Sequence, residues 1–380
     1  MPTWLFVIQA LLIGATLFTV VPHHVLLRLQ VVVWTIGVVA IAVIVGVDAQ
    51  DRFYSNDQVL HVLIVQTLRD WSWLPESSIL NMRLPYAIPA VAVTYLGISE
   101  ILALKTVSLI CLLALSHELL SQFHSTRLSE QVKTLYIAGC GLIGSFFSLL
   151  ALRETMMMLF AYLFFAKKSP AVRASSITIL MLLRPHLAIA LLIGELVIAV
   201  ISRLSVRNSL GFFLSPMLCI LGVVIGISLV SLSRVGLAGE EDIFLDGYVL
   251  GEIRQIASNF VGLQFLTTGA SNVNFSIGSL IALRGVLSET ILIPLLFTAV
   301  TLLSGPRISR QHSSALVAFT LYVSIATSSD FNSFRQNIPF MPLLGAVIFD
   351  VFDKRRQLKV LSPFFQRFRS AASPIVPRET

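Results

Sequence analysis

The chain has 380 residues, 56% of them hydrophobic and only 12% charged, with a mean hydropathy of +0.86. Soluble globular domains carry about 25% charged residues, so composition excludes a water-soluble fold, which could not hide so much apolar surface. The formal charge of +7 owes much to the tail after Phe352, and without a basic folded domain this argues for lipid contact and against nucleic-acid binding.

In chain order, the first apolar run lacks a basic leader and a small-residue cleavage site, so it predicts a retained helix and not a signal peptide. Leu29–Val47 predicts a second span, since crossing a bilayer takes roughly 20 mostly apolar residues. The connection from Asp48 to Glu76 is acidic or mixed. Within it Ser55 and Gln58 have capping-box spacing, which predicts a helix running to about Leu68. Tyr86–Gly97 is too short to span and reads as a half-helix. Ile101–Leu120 is a span. Arg153 and Glu154 interrupt the next apolar stretch, and Arg184, Pro185 and His186 the one after, where the proline must break or kink the helix. Leu210–Leu232 and Val286–Leu303 are further spans. Between them lie an acidic connection, Glu240 to Glu252, and a weakly amphipathic stretch, 250–285. The alternating period of a membrane barrel is absent. The predicted class is therefore all-α, a polytopic bundle of about eleven spans with interfacial helices in its outer loops. It occupies residues 1–353 as one transmembrane domain, followed by a basic, partly disordered tail at 354–380.

The connections fall into two alternating sets. One is basic: Arg28; Arg127 and Lys133; Lys167, Lys168 and Arg173; Arg203 and Arg207; Arg307 and Arg310; then the tail. The other is acidic or mixed and contains the two interruptions and the stretch from Asp330 to Arg335. The positive-inside rule places the first set, with the C-terminus, in the cytoplasm and the second outside. Cys111, Cys140 and Cys219 lie in apolar runs without paired spacing, which argues against a disulfide framework or a zinc site.

Chemistry gathers on the outer set. Asp57 and His61 stand one turn apart on the predicted helix and share a face. Asp57 reads either as a carboxylate favoured by a helix N-terminus or as a general base, or a metal or acceptor ligand, at the membrane boundary. Asp51 is its rival, while Asp48 reads as the end of a span. Charges inside apolar runs are expensive and usually face a cavity, a partner or a substrate. Arg153, Arg184 and His186 therefore read either as structural pairs or as a grip on an anionic group such as phosphate, which the guanidinium fork binds bidentately. Arg335, before Pro339 and Pro342, is either a snorkelling arginine or another such clamp. Glu240, Glu241, Asp242 and Asp246 offer oxygen ligands to a divalent metal, but their spacing matches no calcium loop, and a solvated acidic loop is the better reading. No nucleotide-binding or hydrolase fingerprint is present. Energy for a reaction would have to come from an activated substrate or a gradient.

An outer loop with an aspartate before a membrane-surface helix resembles the polytopic GT-C class glycosyltransferases. The run from Phe334 to Leu343, with Arg335, Pro339 and Pro342, is similar to the start of a late helix in many of them. Arg153-Glu154-Thr155 and Leu183-Arg184-Pro185-His186 resemble elements of the Wzy- and EpsG-like polysaccharide polymerases. The resemblance spans about half the chain in scattered short motifs. It departs in the first outer loop, where the paired acids of the class are not adjacent, and in lacking a large soluble C-terminal domain. It implies transfer of a sugar or oligosaccharide from a polyprenyl phosphate to a hydroxyl acceptor on the non-cytoplasmic side of a bacterial inner membrane, alongside envelope-biosynthesis partners. Asp57, Asp51 and Glu154 become the candidate catalytic carboxylates, with His61, Arg153, Arg184, His186 and Arg335 binding substrate. A transporter or flippase for an anionic or lipid-linked substrate is the rival expectation.

Overall fold

The computed structural model describes residues 2–44, 46–47, 56–70, 83–123, 130–167, 169–203, 310–327, 338–345 and 347. Among them all regular structure is helical, with no strand. The elements are α1 (Thr3–Val20), α2 (Val25–Ile44), α3 (Asn56–Arg69), α4 (Leu84–Thr94), α5 (Glu100–Phe123), α6 (Glu130–Leu149), α7 (Glu154–Ala166), α8 (Pro170–Leu183), α9 (Pro185–Arg203), α10 (Arg310–Thr327) and a 3₁₀ turn (Ile338–Phe340).

Their limits follow from local chemistry. Prolines open α8 and α9 at the first helical position, where the missing N–H costs nothing. Gly97, at φ +77°, ends the turn after α4, a conformation that glycine takes without strain. The second predicted span lies four residues earlier than Leu29, because Arg28 is accommodated in the first turn of α2, with its guanidinium 4.9 Å from the centre of the Phe18 ring. The helix expected to run to Leu68 ends at Arg69, and the short apolar segment near Tyr86 is an eleven-residue helix. Leu210–Leu232, Glu240 to Glu252, residues 250–285, Val286–Leu303 and the tail lie outside the described residues, as do Asp48, Asp51, Ser55 and Arg335.

Among the described residues three helices, α1, α2 and α5, are long and apolar enough to cross a membrane. Helix α5 is the hub, packing against α1, α2, α3, α4, α6 and α7. By contrast α1 and α2 turn large apolar side chains outward, among them Trp4, Leu12, Ile36 and Ile44, a surface that soluble monomers rarely show.

Sequential helices form antiparallel hairpins whose polar ends separate. At one end Lys167 Nζ stands 2.6 Å from Glu118 Oε2. There Arg173 donates from Nε to Phe164 O at 3.0 Å and pairs with Glu195. At the other end Arg69 pairs with Glu100 and with Asp70. The Asp70 hydrogen bond, followed by the Glu100 charge, holds the Arg69 guanidinium above its ordinary pKa.

The helices are not equally long, and this sets the depth of the connections. Helix α5 has 24 residues, about 36 Å at 1.5 Å per residue. Ser108 donates to Leu152 O at 3.0 Å, so the α6–α7 turn meets α5 eight residues, or about 12 Å, inside its Glu100 end. Gly37 gives a second measure. A Cβ there would come within 2.8 Å of the Leu149 side chain, and Gly37 precedes Ile44, the end of α2, by about 10 Å of helix. Helices α7 and α8, of 13 and 14 residues, therefore stop about a third of the way inside the bundle.

Candidate functional site

The turn between α6 and α7 organises the site. Its backbone is unusual: Ala151 has φ +50°, a left-handed conformation that costs a residue with a Cβ about 1–2 kcal/mol. The turn is closed by Leu152 N donating to Phe147 O at 3.2 Å. Ala151 O is directed at His61, whose Nδ1 lies 3.3 Å away. A carbonyl only accepts, so His61 carries a hydrogen on Nδ1, and a neutral ring then presents Nε2 as a base.

His61 is held on its other side by Tyr86, ring to edge at 5.2 Å. The Tyr86 hydroxyl lies 2.7 Å from Ser108 Oγ and 3.0 Å from Leu104 O, while Ser108 Oγ also contacts Leu152 O. Two hydroxyl hydrogens serve three contacts. Ser108 donates to Leu152 O, and the Tyr86 hydrogen is shared between Leu104 O and Ser108 Oγ. One relay thus ties α4, α5 and the turn together behind the histidine.

On the far side of the turn the charges gather. Arg153 caps α7 and donates from Nη1 to Leu183 O at 2.6 Å. That carbonyl ends α8, where acceptors outnumber donors. Arg184 follows at the α8–α9 junction, its backbone N–H donating to Leu180 O at 2.7 Å. Its side chain is 4% exposed and its Nη2 lies 3.7 Å from Glu154 Oε1, a carboxylate with no exposure at all. That distance is an ion pair and too long for a hydrogen bond. Glu154 also sits in the first turn of α7, where the helix dipole favours a negative charge. Tyr322 of α10 lies within electrostatic reach of Arg184 and packs on Phe340 of the 3₁₀ turn at 5.2 Å. Among the described residues two arginines and one carboxylate meet here.

Three residues here carry buried polar atoms without a partner among the described residues. Thr155 Oγ1 and Arg184 Nη1 are buried without a hydrogen-bond partner. Gln58, one turn before His61, is fully buried with neither amide atom hydrogen-bonded. Leaving such atoms unmet costs roughly 1–3 kcal/mol each, so this face of α3 is poised for polar company.

His61, Arg153, Glu154 and Arg184 therefore stand around one turn. Asp57 lies in the first turn of α3 and His186 in that of α9, but their side chains are outside the described residues, and so are Asp51 and Arg335 altogether. Nothing in the sequence pointed to Tyr86, Ser108 or Tyr322, since such residues are ordinary in apolar helices. Lys105 did carry a signal, a cation within Ile101–Leu120, and was passed over. It is 1% exposed, with Nζ 5.9 Å from the centre of the Phe6 ring. Among the described residues no group of side chains could hold a metal ion, and the acidic cluster from Glu240 to Asp246 lies outside them. Set against known proteins, the chain matches no family, no curated protein and no solved structure.

Proposed function

We propose that this chain is an integral membrane glycosyltransferase or polysaccharide polymerase, acting on a sugar carried by a polyprenyl phosphate at the non-cytoplasmic side of a bacterial inner membrane. In this reading the bundle has about eleven spans with the N-terminus outside and the C-terminus inside. The observation that carries the reading is the meeting of His61, Arg153, Glu154 and Arg184 at one turn, from three distant parts of the sequence, inside an apolar bundle.

Arg153 and Arg184 bind the donor phosphate. Arg184 Nη1 meets no hydrogen-bond partner among the described residues, and a guanidinium's charge survives burial. Glu154, buried against Arg184, acts as a positioning residue whose charge holds the guanidinium at the turn. Asp57 takes the proton of the acceptor hydroxyl. The hydroxyl oxygen bonds to the anomeric carbon, the bond from that carbon to the phosphate oxygen breaks, and the electron pair leaves on the phosphate. The arginines stabilise the charge that develops there. The lipid delivers the donor within the bilayer, so no nucleotide-binding domain is required.

The test is turnover of polyprenyl-linked sugar by the purified protein. Arg184→Ala should lower transfer by about a hundredfold, the usual cost of removing one such charge-stabilising donor, and Asp57→Asn should abolish it. Unchanged transfer in both variants overturns the assignment.

A second reading, a transporter or flippase for the same lipid-linked anion, draws on the depth of the site. The α6–α7 turn lies about 12 Å inside α5, toward the midplane where transporters bind. Proteoliposomes separate the two: the transporter moves the substrate between leaflets without forming a glycosidic bond.

A further inference from the structure

Helix α3 rises from inside the bundle. Its last residue, Arg69, pairs with Glu100 at the head of α5. Eight residues earlier, His61 reaches Ala151 O and the Tyr86 ring, and the Tyr86 hydroxyl reaches Ser108, eight residues into α5. The two helices therefore run antiparallel and in step. Gln58 lies one turn further down α3, about 16 Å inside the Glu100 end. Helix α7 descends from the turn past the same level. Thr155 is three residues beyond Leu152, whose carbonyl accepts from Ser108, and Lys167 at the foot of α7 pairs with Glu118 of α5. Gln58 and Thr155 thus stand at one depth, close under the turn that holds Arg153, Glu154 and Arg184.

Both side chains are fully buried. Among the described residues neither amide atom of Gln58 has a hydrogen-bond partner, nor has the Thr155 hydroxyl. Gln58 shares a face of α3 with His61, the face that meets the α6–α7 turn. An amide buried in this state costs stability in the empty protein. Only a partner that both accepts and donates recovers that cost, because Nε2 has hydrogens to give and Oε1 has lone pairs to fill. The substrate of the proposed reaction has three parts. An ionised phosphate accepts and does not satisfy Oε1. A polyprenyl chain neither accepts nor donates. The sugar does both, since adjacent ring hydroxyls offer an oxygen to one end of a carboxamide and a hydrogen to the other. Thr155, donor and acceptor in one group, suits a further hydroxyl.

We infer that Gln58 is the sugar-recognition residue of the site, holding two neighbouring ring hydroxyls through its carboxamide, with Thr155 on a further hydroxyl and the arginines on the phosphate. This assignment rests on a lipid-linked sugar being the substrate. It holds equally whether the sugar is transferred or carried across the bilayer, because it concerns binding and not the bond that breaks.

Native mass spectrometry of the full chain in neutral detergent tests this by competition between decaprenyl phosphate and decaprenyl phosphate esterified to glucose. The wild type should retain the glucosylated lipid about tenfold better, the usual net effect of one or two hydrogen bonds. Gln58→Leu should erase that preference by weakening the glucosylated lipid alone, and Thr155→Val should reduce it about threefold. Arg184→Ala should weaken both lipids together and keep the preference. Leucine replaces an unmatched buried amide with an apolar group of similar size. Gln58→Leu should therefore leave the unfolding temperature of the empty protein unchanged or higher, whereas loss of a structural amide would lower it. Gln66→Leu, on the same helix and half-buried, is the control and should leave the preference intact. Equal retention of the two lipids by the wild type, a preference that survives Gln58→Leu, a lower unfolding temperature in that variant, or an equal loss in Gln66→Leu overturns the assignment. A preference that persists where no glycosidic bond is formed supports it and removes the transferase reading, so the two fail separately.

Discussion

Arg184 and Glu154 form the most consequential contact in the molecule, two opposite charges out of water and 3.7 Å apart. Removing one member of such a pair takes a counter-charge from the other, and the cost exceeds the net worth of the pair itself. Glu154→Gln and Arg184→Gln should each lower resistance to unfolding in a detergent titration, and the double variant should recover part of the loss. A coupling of about 1–3 kcal/mol is expected for groups in direct contact, and a coupling of zero would show that the charges do not sense each other. These residues were legible in the sequence because a charge inside an apolar run demands an explanation. Their partners were not. Which carboxylate meets Arg184 depends on the α6–α7 turn coming level with the α8–α9 junction, and spacing along the chain does not carry that. His61 was legible as a neighbour of Asp57, but its hold on Ala151 O depends on a left-handed alanine that no local pattern announces.

At the scale of elements, α9 and α10 pack most extensively among the described helices. A Cβ on Gly194 would lie 2.5 Å from Ser314 O and 2.8 Å from Ala318 Cβ, so the helices meet backbone to side chain across small residues, as membrane helices commonly do. Gly194→Leu should force them apart and cost roughly 1–3 kcal/mol of stability, the usual penalty of overpacking. Gly139→Leu is the control, since a Cβ there meets nothing within 4 Å. The loss should appear in the detergent titration for the first variant and be absent for the second. Helix limits were largely readable, because Pro170, Pro185 and Gly97 punctuate the chain for steric reasons. Helix pairing was not. Tyr136, early in α6, donates to Met341 O at 2.7 Å across 205 positions, a contact that only the assembled bundle defines.

For the whole molecule, the segregation of Arg28, Lys133, Lys167 and Arg173 at one end and of Arg69, Glu100 and the arginine cluster toward the other agrees with the alternation of connections in the sequence. Composition alone made the all-helical class legible, since a bilayer leaves backbone groups few other ways to be satisfied. Single cysteines at Tyr95 and at His24, in a background lacking the native three, should react with an impermeant thiol reagent from opposite sides of sealed vesicles. Reaction from the same side would overturn the orientation and the functional reading with it. The unequal helix lengths carry one more consequence. Because α7 and α8 stop short of the end of α5, dissolved salt cannot crowd around Arg153 and Arg184 as it does around surface charges, where the screening length is about 8 Å at physiological ionic strength. Affinity for an anion there should hardly respond to added sodium chloride, whereas an anion held at the bundle's rim would be shed.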